Sequence, residues 1–488
     1  MDDDPERLFQ TSLDADGVLV ATLDMPGRTM NVFSAGLMDA LDALMDRVEQ
    51  DPAVHSVVIT SGKPSFLAGA DLTMVRGYTE QACSATPAQM FETCGRLGRQ
   101  FVRLEACAKP WVAAVNGIAL GGGLELALAC RQRLVADDPK LQLGVPEVRW
   151  GLLPGAGGTQ RLPRMAPFDA ALRCLLTGAS TTPAEALQWG VVDAVLPAAD
   201  LLAAAKAAAR ALQGQPYDAN AKFKRLDQAE LPPHSEAAAS ALAARQGVDS
   251  EHFDHYPAYS AICDSVLKGA HLPLAEATAL EMHQFLRLMF NPVAGRMIHT
   301  LFLERLRAER ELAAPAGLQI ERVVHGAISE ARIAWRAALA KLKLPKTEDA
   351  SLGIDVLDLH DNLGQRHSLA LRVLDEDAAP ATVATAVLAP AGPYGRVLEL
   401  VGASPATAHA AAALAARLWC LPWPTPGPLS VLQSLRGLPL AQQAPAALAL
   451  SAQPGAGDPQ FLDVAACLAG IAPAWSGGPL SWAASTAP

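Results

Sequence analysis

The chain has 488 residues, a formal net charge of −11 and a hydrophobic fraction of 51%. Its length predicts roughly two to four domains, and its composition allows it to bury a core. The acidic balance argues against nucleic acid as a default partner, because phosphate binding requires a basic surface.

Features that report on the compartment point to the cytoplasm. The start of the chain, MDDDPERLFQ, is acidic and has no apolar segment, so we do not expect a signal peptide. No uninterrupted apolar run reaches the length of a membrane-spanning helix. The eight cysteines are scattered without metal-like spacing, which favours buried free thiols in a reducing compartment.

Strand-like and helix-like runs alternate over the first part of the chain. Buried strands are predicted at 17–25, 56–62 and 109–120, and two short ones within 134–147. A run with helical periodicity lies at 38–50. This alternation is typical of an α/β layered fold.

The pattern changes after about residue 200. Helical runs dominate up to 312, and the sequence AAPAG at 313–317 has the composition of a linker. Beyond it the chain is rich in Ala, Leu and Pro, and its signals are weaker. We predict that 318–488 form a second unit.

Three consecutive glycines and one carboxylate stand together in NGIALGGGLELALAC, residues 116–130. Glycine lets a ligand approach the backbone closely, and the first N–H groups of a helix have no intrahelical partners and lie at its positive end. The stretch can therefore present an N–H group to an oxygen that becomes negative, as in an oxyanion hole. Tight packing alone explains such glycines more often, and it does not explain Glu125 in an apolar run.

Two further stretches strengthen this interpretation. In FLAGADLTMV (66–75) a second N–H can come from Ala70, although Asp71 also fits an ordinary helix cap. In GVPEVRWGLLPGAGGTQRLPR (144–164) Glu147 precedes a glycine-rich loop, where a surface glutamate would also be ordinary. Two short predicted strands separate Glu125 from Glu147, so the chain can bring the second carboxylate back toward the first.

These stretches, with LTGASTTPAEALQWGVVDAVLP, resemble in order and spacing the crotonase superfamily of enoyl-CoA hydratases and isomerases. They are most similar to the amino-terminal half of bacterial multifunctional fatty-acid-oxidation α subunits, over roughly residues 10–310. The resemblance implies an α/β fold, with a crotonase-type ββα superhelix followed by a helical tether and a reduced α/β plus helical carboxyl-terminal region. The implied domains are a crotonase core at 1–200, the helical part and tether at 201–312, and a degenerate dehydrogenase-like region at 318–488.

The resemblance also implies a site for a CoA thioester. In that family two backbone N–H groups hold the thioester oxygen, and the matching positions are Ala70 and Gly122. Two glutamates handle a water molecule at the double bond, and they match Glu125 and Glu147. Further substrate contacts are implied at Ala68, Asp71, Leu72 and Gly155.

The presence of both glutamates implies hydration of a trans-2-enoyl-CoA in fatty-acid β-oxidation, since relatives with only the later one tend to be isomerases. Water must lose a proton as it attacks Cβ while the α carbon gains one, and two carboxyl groups can divide this work. Burial and mutual repulsion would separate their pKa values. The alternatives are an isomerase, which Glu147 also allows as a side activity, another reaction of CoA thioesters, and a structural subunit that docks a thiolase or a dehydrogenase.

The second half resembles the NAD-dependent 3-hydroxyacyl-CoA dehydrogenase of those relatives, but it is much shorter. The three positions of the GxGxxG fingerprint are His325, Ala327 and Glu330, and a carboxylate there would repel a diphosphate. The position of the catalytic histidine is Ala386, and Glu399 corresponds to the partner of that histidine with one residue inserted. We therefore predict that NAD binding is lost.

No other cofactor is expected. The histidines form no HExxH grouping, so no metal site is predicted either. The expected partners are an acyl-CoA substrate and, as a candidate, a thiolase subunit.

Overall fold

The computed structural model forms two compact units, Met1–Gly295 and Arg296–Pro488. The residues that it describes are 8–217, 231–312, 319–325, 336, 339, 345–348, 355–360, 366–373, 385–389, 394–402, 404, 407–408, 412, 414–416, 418, 420–425, 430–453 and 458–486. The linker predicted at 313–317 lies outside these residues, and the three-part domain scheme stays a prediction.

The described strands of the first unit form two sheets. They are β1 (Phe9–Leu13), β2 (Val18–Leu23), β3 (Ser56–Ser61), β4 (Trp111–Val115), β5 (Ala119–Leu120), β6 (Gln132–Ala136), β7 (Leu143–Gly144), β8 (Ser180–Thr181) and β9 (Ala194–Leu196). The larger sheet has the order β1-β2-β3-β4-β6-β9, and every pair except β1–β2 is parallel. The smaller sheet has the order β5-β7-β8. The parallel strands of the larger sheet confirm the predicted α/β alternation.

The single strand predicted at 109–120 is wrong in one respect, because the chain changes sheet inside it. β4 belongs to the larger sheet and β5 to the smaller one. Between them the Asn116 side chain donates hydrogen bonds to the carbonyls of Ser61 and Lys63. A Cβ at Gly117 would collide with the Pro64 carbonyl. This close approach turns the chain and directs β5 toward the site.

Helices cover the rest of the first unit. They are α1 (Ala35–Gln50), α2 (Leu72–Gln81), α3 (Pro87–Cys94), α4 (Arg96–Ala106), α5 (Gly122–Ala129), α6 (Gly158–Met165), α7 (Phe168–Thr177), α8 (Pro183–Trp189), α9 (Leu201–Ala211), α10 (Glu236–Arg245), α11 (Ser250–His255), α12 (Pro257–Gly269) and α13 (Leu274–Met289). The helix predicted at 38–50 is confirmed as α1, which Ser34 caps by accepting the N–H of Leu37. A 3-10 turn, Pro146–Trp150, precedes the loop that leads into α6.

The second unit contains one described sheet of seven strands. These are β10 (Gln319–His325), β11 (Lys346–Glu348), β12 (Asp355–His360), β13 (Arg366–Val373), β14 (Thr385–Leu388), β15 (Val397–Val401) and β16 (Leu421–Thr425). Their order is β11-β10-β12-β13-β14-β15-β16, and three pairs are antiparallel, β10–β12, β12–β13 and β14–β15. A doubly wound dinucleotide-binding sheet is mostly parallel, so this sheet departs from that pattern.

The remaining described helices lie at the end of the predicted tether and in the last part of the chain. They are α14 (Pro292–Ile298), a π-helical turn (His299–Glu304), α15 (Arg305–Glu311), α16 (Val431–Leu435), α17 (Leu440–Ser451), α18 (Pro459–Leu468) and α19 (Pro479–Thr486). Apolar residues of β14–β16 and α16–α18 form the core of the second unit. Helices predicted from the runs at 201–213 and 274–290 are confirmed as α9 and α13.

Candidate functional site

Two glycine-containing segments lie side by side and bring the predicted N–H donors together. The backbone N–H of Leu120 donates to the Leu67 carbonyl at 3.0 Å. Gly69, two residues after Leu67, adopts a φ of +85°, and Gly121, directly after Leu120, adopts a φ of +53°. A Cβ built on Gly121 would come within 3.4 Å of the Gly69 Cα. The residues that follow these glycines, Ala70 and Gly122, are therefore neighbours although 52 positions separate them.

Local hydrogen bonding leaves both of these N–H groups without a protein acceptor in the described part of the chain. Phe33 pairs with the chain on either side of Ala70: its N–H donates to Gly69, and its carbonyl accepts from Asp71. Gly122 is the first residue of α5, where the N–H has no intrahelical partner. An anionic oxygen placed between the two segments would meet two donors and the positive end of α5.

Glu125 lies one turn into α5, and its side chain is buried. Its Oε1 atom accepts the backbone N–H groups of Ala156 at 2.8 Å and Gly158 at 2.7 Å. A Cβ at Gly158 would lie only 2.8 Å from that same oxygen, so the glycine allows the close approach. Burial raises the pKa of Glu125, and the two N–H donors and the Arg161 charge oppose that rise.

Glu147 approaches from the 3-10 turn and has a different environment. Its Oε1 lies against Gly121, and its buried Oε2 has no hydrogen-bond partner among the described residues. Burial raises the pKa of Glu147 well above its ordinary value, and the charges of Glu125 and Glu281 raise it further. One carboxyl group is thus bound by N–H donors and the other lacks comparable donors, which separates their chemistry.

A third buried carboxylate, Glu281, was not predicted from the sequence. It lies on α13 and is fully buried. Its Oε1 accepts the N–H of Gly157 at 2.6 Å, and its Oε2 accepts the N–H of Thr159 at 2.9 Å and the Thr159 hydroxyl. The available signal was an acidic residue on the apolar face of a helix, since Ala277 and Phe285, four positions away on each side, are also buried.

The resemblance implied further substrate contacts at four residues, whose surroundings differ. Ala68 and Gly155 are half-buried, and Gly155 lies against the ring of Phe285. Asp71 caps α2 by accepting the Thr73 N–H at 2.9 Å, and it also pairs with Arg28 at 3.0 Å. Leu72 is the first residue of α2 and is half-buried.

Among the described residues, no group of three or more His, Cys, Asp or Glu side chains is arranged to hold a metal ion. Nor does any helix among them combine the length and the apolar content needed to cross a membrane.

The family described as enoyl-CoA hydratase/isomerase matches residues 14–258. The fatty acid oxidation complex subunit alpha of Shewanella frigidimarina is 33% identical over 315 residues, covering 63% of this chain and 42% of that protein. The subunit of the same name from Shewanella amazonensis is 44% identical over 199 residues, covering 40% of this chain and 27% of that protein. The chain thus spans less than half the length of these curated relatives.

Solved structures include two further similar chains. The human mitochondrial delta3-delta2-enoyl-CoA isomerase is 24% identical with a TM-score of 0.44, and the match covers 62% of this chain and all of that one. An enoyl-CoA hydratase from Bacillus anthracis is 25% identical with a TM-score of 0.37, and the match covers 62% of this chain and 96% of that one.

Proposed function

Since the chain belongs to the enoyl-CoA hydratase/isomerase family, we propose that it adds water to a trans-2-enoyl-CoA and gives a 3-hydroxyacyl-CoA in fatty-acid β-oxidation. The observation that carries this proposal is a pair of buried carboxyl groups with unlike hydrogen bonding, Glu125 and Glu147. They lie beside two N–H groups, of Ala70 and Gly122, that have no acceptor among the described residues.

The unlike environments assign a role to each carboxyl group. Glu125 has two N–H donors that stabilise its ionised form, so it serves as the base that takes a proton from water. At Glu147 only its own backbone N–H opposes the rise of its pKa, and two other carboxylates lie near, so it holds a proton and serves as the acid. The pair titrates as a coupled unit, and one proton shared between the two groups is the active state.

These two carboxyl groups account for the protons that move in the proposed reaction. The oxygen of water forms a bond to Cβ as its proton moves to Glu125, and the double-bond electrons shift toward the thioester. The N–H groups of Ala70 and Gly122 stabilise the negative thioester oxygen. Glu147 then gives its proton to the α carbon, and proton exchange between the two carboxyl groups restores the starting state.

The test is loss of the enoyl-thioester absorbance with crotonyl-CoA and longer trans-2-enoyl-CoAs. Wild-type protein should turn over the enoyl-CoA of at least one acyl chain length. Glu125→Gln and Glu147→Gln should each lose roughly 100-fold or more in kcat. Glu92→Gln, at an exposed position, is the matched control. Wild-type turnover in both site variants would contradict the assignment.

One observation favours isomerisation as a second candidate. The Oε2 atom of Glu147 is free of protein donors among the described residues, so it can accept a proton at one carbon and return it at another. Isomerisation of a 3-enoyl-CoA should then survive in Glu125→Gln, whereas hydration should not. If isomerisation were the main reaction, the 3-enoyl-CoA would be the better substrate of the wild-type protein.

We also propose that the second half binds no NAD. Ala386, at the position matched to the histidine, is a buried residue of β14. Glu399 accepts hydrogen bonds from Ser430 and Val431, so its carboxylate is already bound. The fingerprint positions Ala327 and Glu330, and the side chain of His325, lie outside the described residues. Calorimetry with NAD should give no binding heat, and micromolar binding would contradict the proposal.

A partner subunit follows from the names of the relatives, which are α subunits of a complex. We propose that a thiolase-like subunit is the partner of this chain. Copurification of tagged protein from its native host should recover that subunit in a fixed ratio. Recovery of the chain alone at physiological salt would contradict the proposal.

A further inference from the structure

The loop that leads into α6 binds two buried carboxylates with alternate N–H groups. Ala156 and Gly158 donate to Glu125, and Gly157 and Thr159 donate to Glu281. Four consecutive N–H groups therefore alternate between the two carboxylates. The two sets of donors come from adjacent residues of one chain, so a backbone rearrangement that displaces one set also displaces the other.

Glu281 is held more completely than Glu125. Both of its oxygens accept an N–H, and Oε2 also accepts the Thr159 hydroxyl. That hydroxyl receives an N–H from the side chain of Gln160 at 3.0 Å and shares a hydrogen bond with Ser265 at 2.7 Å. Gln160 in turn donates to the Ser265 carbonyl on α12. The carboxylate of Glu281 thus ties the loop to α12 and α13.

Small residues alone do not fix the shape of this loop. Gly157 adopts a φ of +100°, and the residues on either side of it are small. The Arg161 side chain donates to the Ala156 carbonyl at 2.9 Å, and the backbone N–H groups of Gln160 and Arg161 donate to the Gly157 carbonyl at 3.1 and 2.7 Å. Without an acceptor at residue 281, the N–H groups of Gly157 and Thr159 would be buried and unsatisfied, which costs free energy and favours another loop conformation.

We propose that Glu281 is a positioning residue for the proposed hydration: it fixes the loop so that the N–H groups of Ala156 and Gly158 hold Glu125 in place for water activation. The inference rests on the proposed function. It gives the helix α13, which follows the part of the chain matched by the family, a direct role in the active site.

Electrostatic interactions also connect Glu281 with Glu125 and Glu147. Burial and the Glu125 charge raise the pKa of Glu281 to about 8. Glu281 in turn raises the pKa of Glu147. The other charged groups packed around these carboxylates are Arg161 and Arg164 of α6 and Glu105 of α4, which pairs with Arg161 at 3.1 Å.

The first test measures turnover of the full chain in Glu281→Gln and Glu281→Asp, with Glu276→Gln, exposed on the same helix, as control. Glu281→Gln should lose about 10- to 100-fold in kcat with KM changed by less than about threefold, because the fault lies in orientation and not in binding. In Glu281→Gln the alkaline limb of the pH dependence of kcat should move to lower pH, because removing the Glu281 charge lowers the pKa of Glu147. Glu281→Asp, which keeps the charge, should keep the alkaline limb of the wild type.

The second test needs no substrate. Hydrogen exchange of peptides covering 154–161 should be at least about tenfold faster in Glu281→Gln than in Glu276→Gln. Equal exchange in Glu281→Gln and Glu276→Gln would overturn the positioning role. Equal changes in kcat and in the pH dependence of kcat in these two variants would overturn it as well. If the wild-type protein turned over no enoyl-CoA while Glu281→Gln still showed the accelerated exchange, only the proposed hydration would be contradicted.

Discussion

Glu147 occupies the space that a side chain at residue 121 would need. Gly121 has a φ of +53°, and a Cβ built there would lie nearer to Glu147 Oε1 than real Cβ atoms come to any neighbour. The same residue ends the turn before α5, which carries Gly122 and Glu125. The glycine therefore serves two purposes, because it provides the backbone conformation for the donor and leaves room for the acid.

Gly121→Ala should separate these two purposes from a general strain effect. We expect roughly 1–3 kcal/mol of destabilisation from the positive φ, together with a loss of about tenfold or more in kcat because Glu147 is displaced. Gly247→Ala is the matched control, since Gly247 has a φ of +84° and open space around it. It should show the strain and keep full kcat. Equal kcat in the two variants would contradict the steric argument.

Arg161 should be the most sensitive cation in the first unit. Its side chain has no solvent exposure, and its partner Glu105 has 4%. Arg161→Met removes the guanidinium that pairs with a buried carboxylate, so we expect a loss of about 3–5 kcal/mol. Native-state hydrogen exchange of peptides from α6 measures this loss.

The control for Arg161 lies on the helix that carries Glu105. Arg103 pairs with Asp46 and Glu49 at a 36% exposed site, where an ion pair is worth about 0–1 kcal/mol. Arg103→Met should therefore change exchange little. Comparable losses of protection in Arg161→Met and Arg103→Met would show that burial does not determine how much an ion pair contributes to stability.

The parts of the site that could be predicted from the sequence are those with local causes. The glycine run and Glu125 lie within one turn of each other, and Glu147 follows two short strands, β6 and β7. The structure brings these residues together with Ala70, although their functional roles stay predictions. Local pattern also identified the strands β2, β3, β4, β6 and β7 and the helices α1, α9 and α13.

What could not be predicted depends on contacts between distant parts of the chain. Glu281 meets Gly157 across 124 positions, so no spacing rule connects them. The turn between β4 and β5 depends on the approach of Gly117 to Pro64, which an apolar run does not reveal. Likewise, the sequences of the individual strands do not reveal the three antiparallel pairs in the sheet of the second unit.

Asp71 allows a capping role to be distinguished from a substrate contact. Its Oδ1 accepts the Thr73 N–H at 2.9 Å and caps α2. Asp71→Ala should cost about 1 kcal/mol, whereas Asp71→Ser keeps the cap and should cost little. If capping is the whole role, Asp71→Ser should keep the wild-type KM for an enoyl-CoA. A KM raised several-fold in both variants would show instead that the carboxylate contacts the substrate.

Glu399 should make the stability of the second unit depend on pH. Its side chain is fully buried, and burial raises its pKa to about 7, although Ser430 and Val431 donate hydrogen bonds to it. The unfolded chain ionises near the ordinary pKa of 4.5, so the unfolded state releases its proton first as the pH rises. The contribution of Glu399 is therefore fully present below pH 4.5 and is lost progressively as the pH rises to about 7. The loss is on the order of 3 kcal/mol, at 1.36 kcal/mol per pKa unit.

Hydrogen exchange of peptides covering β15, corrected for the intrinsic rate at each pH, measures this effect. Protection in the wild type should fall between about pH 4.5 and pH 7 relative to Glu399→Gln, which cannot ionise. In that variant the amide oxygen can accept the Val431 N–H, and the amide N–H can donate to Ser430 Oγ, so the cap of α16 is kept. Glu311→Gln, at an exposed position on α15, should follow the wild type at every pH. If wild type and Glu399→Gln lose protection in parallel, ionisation of Glu399 is not the cause.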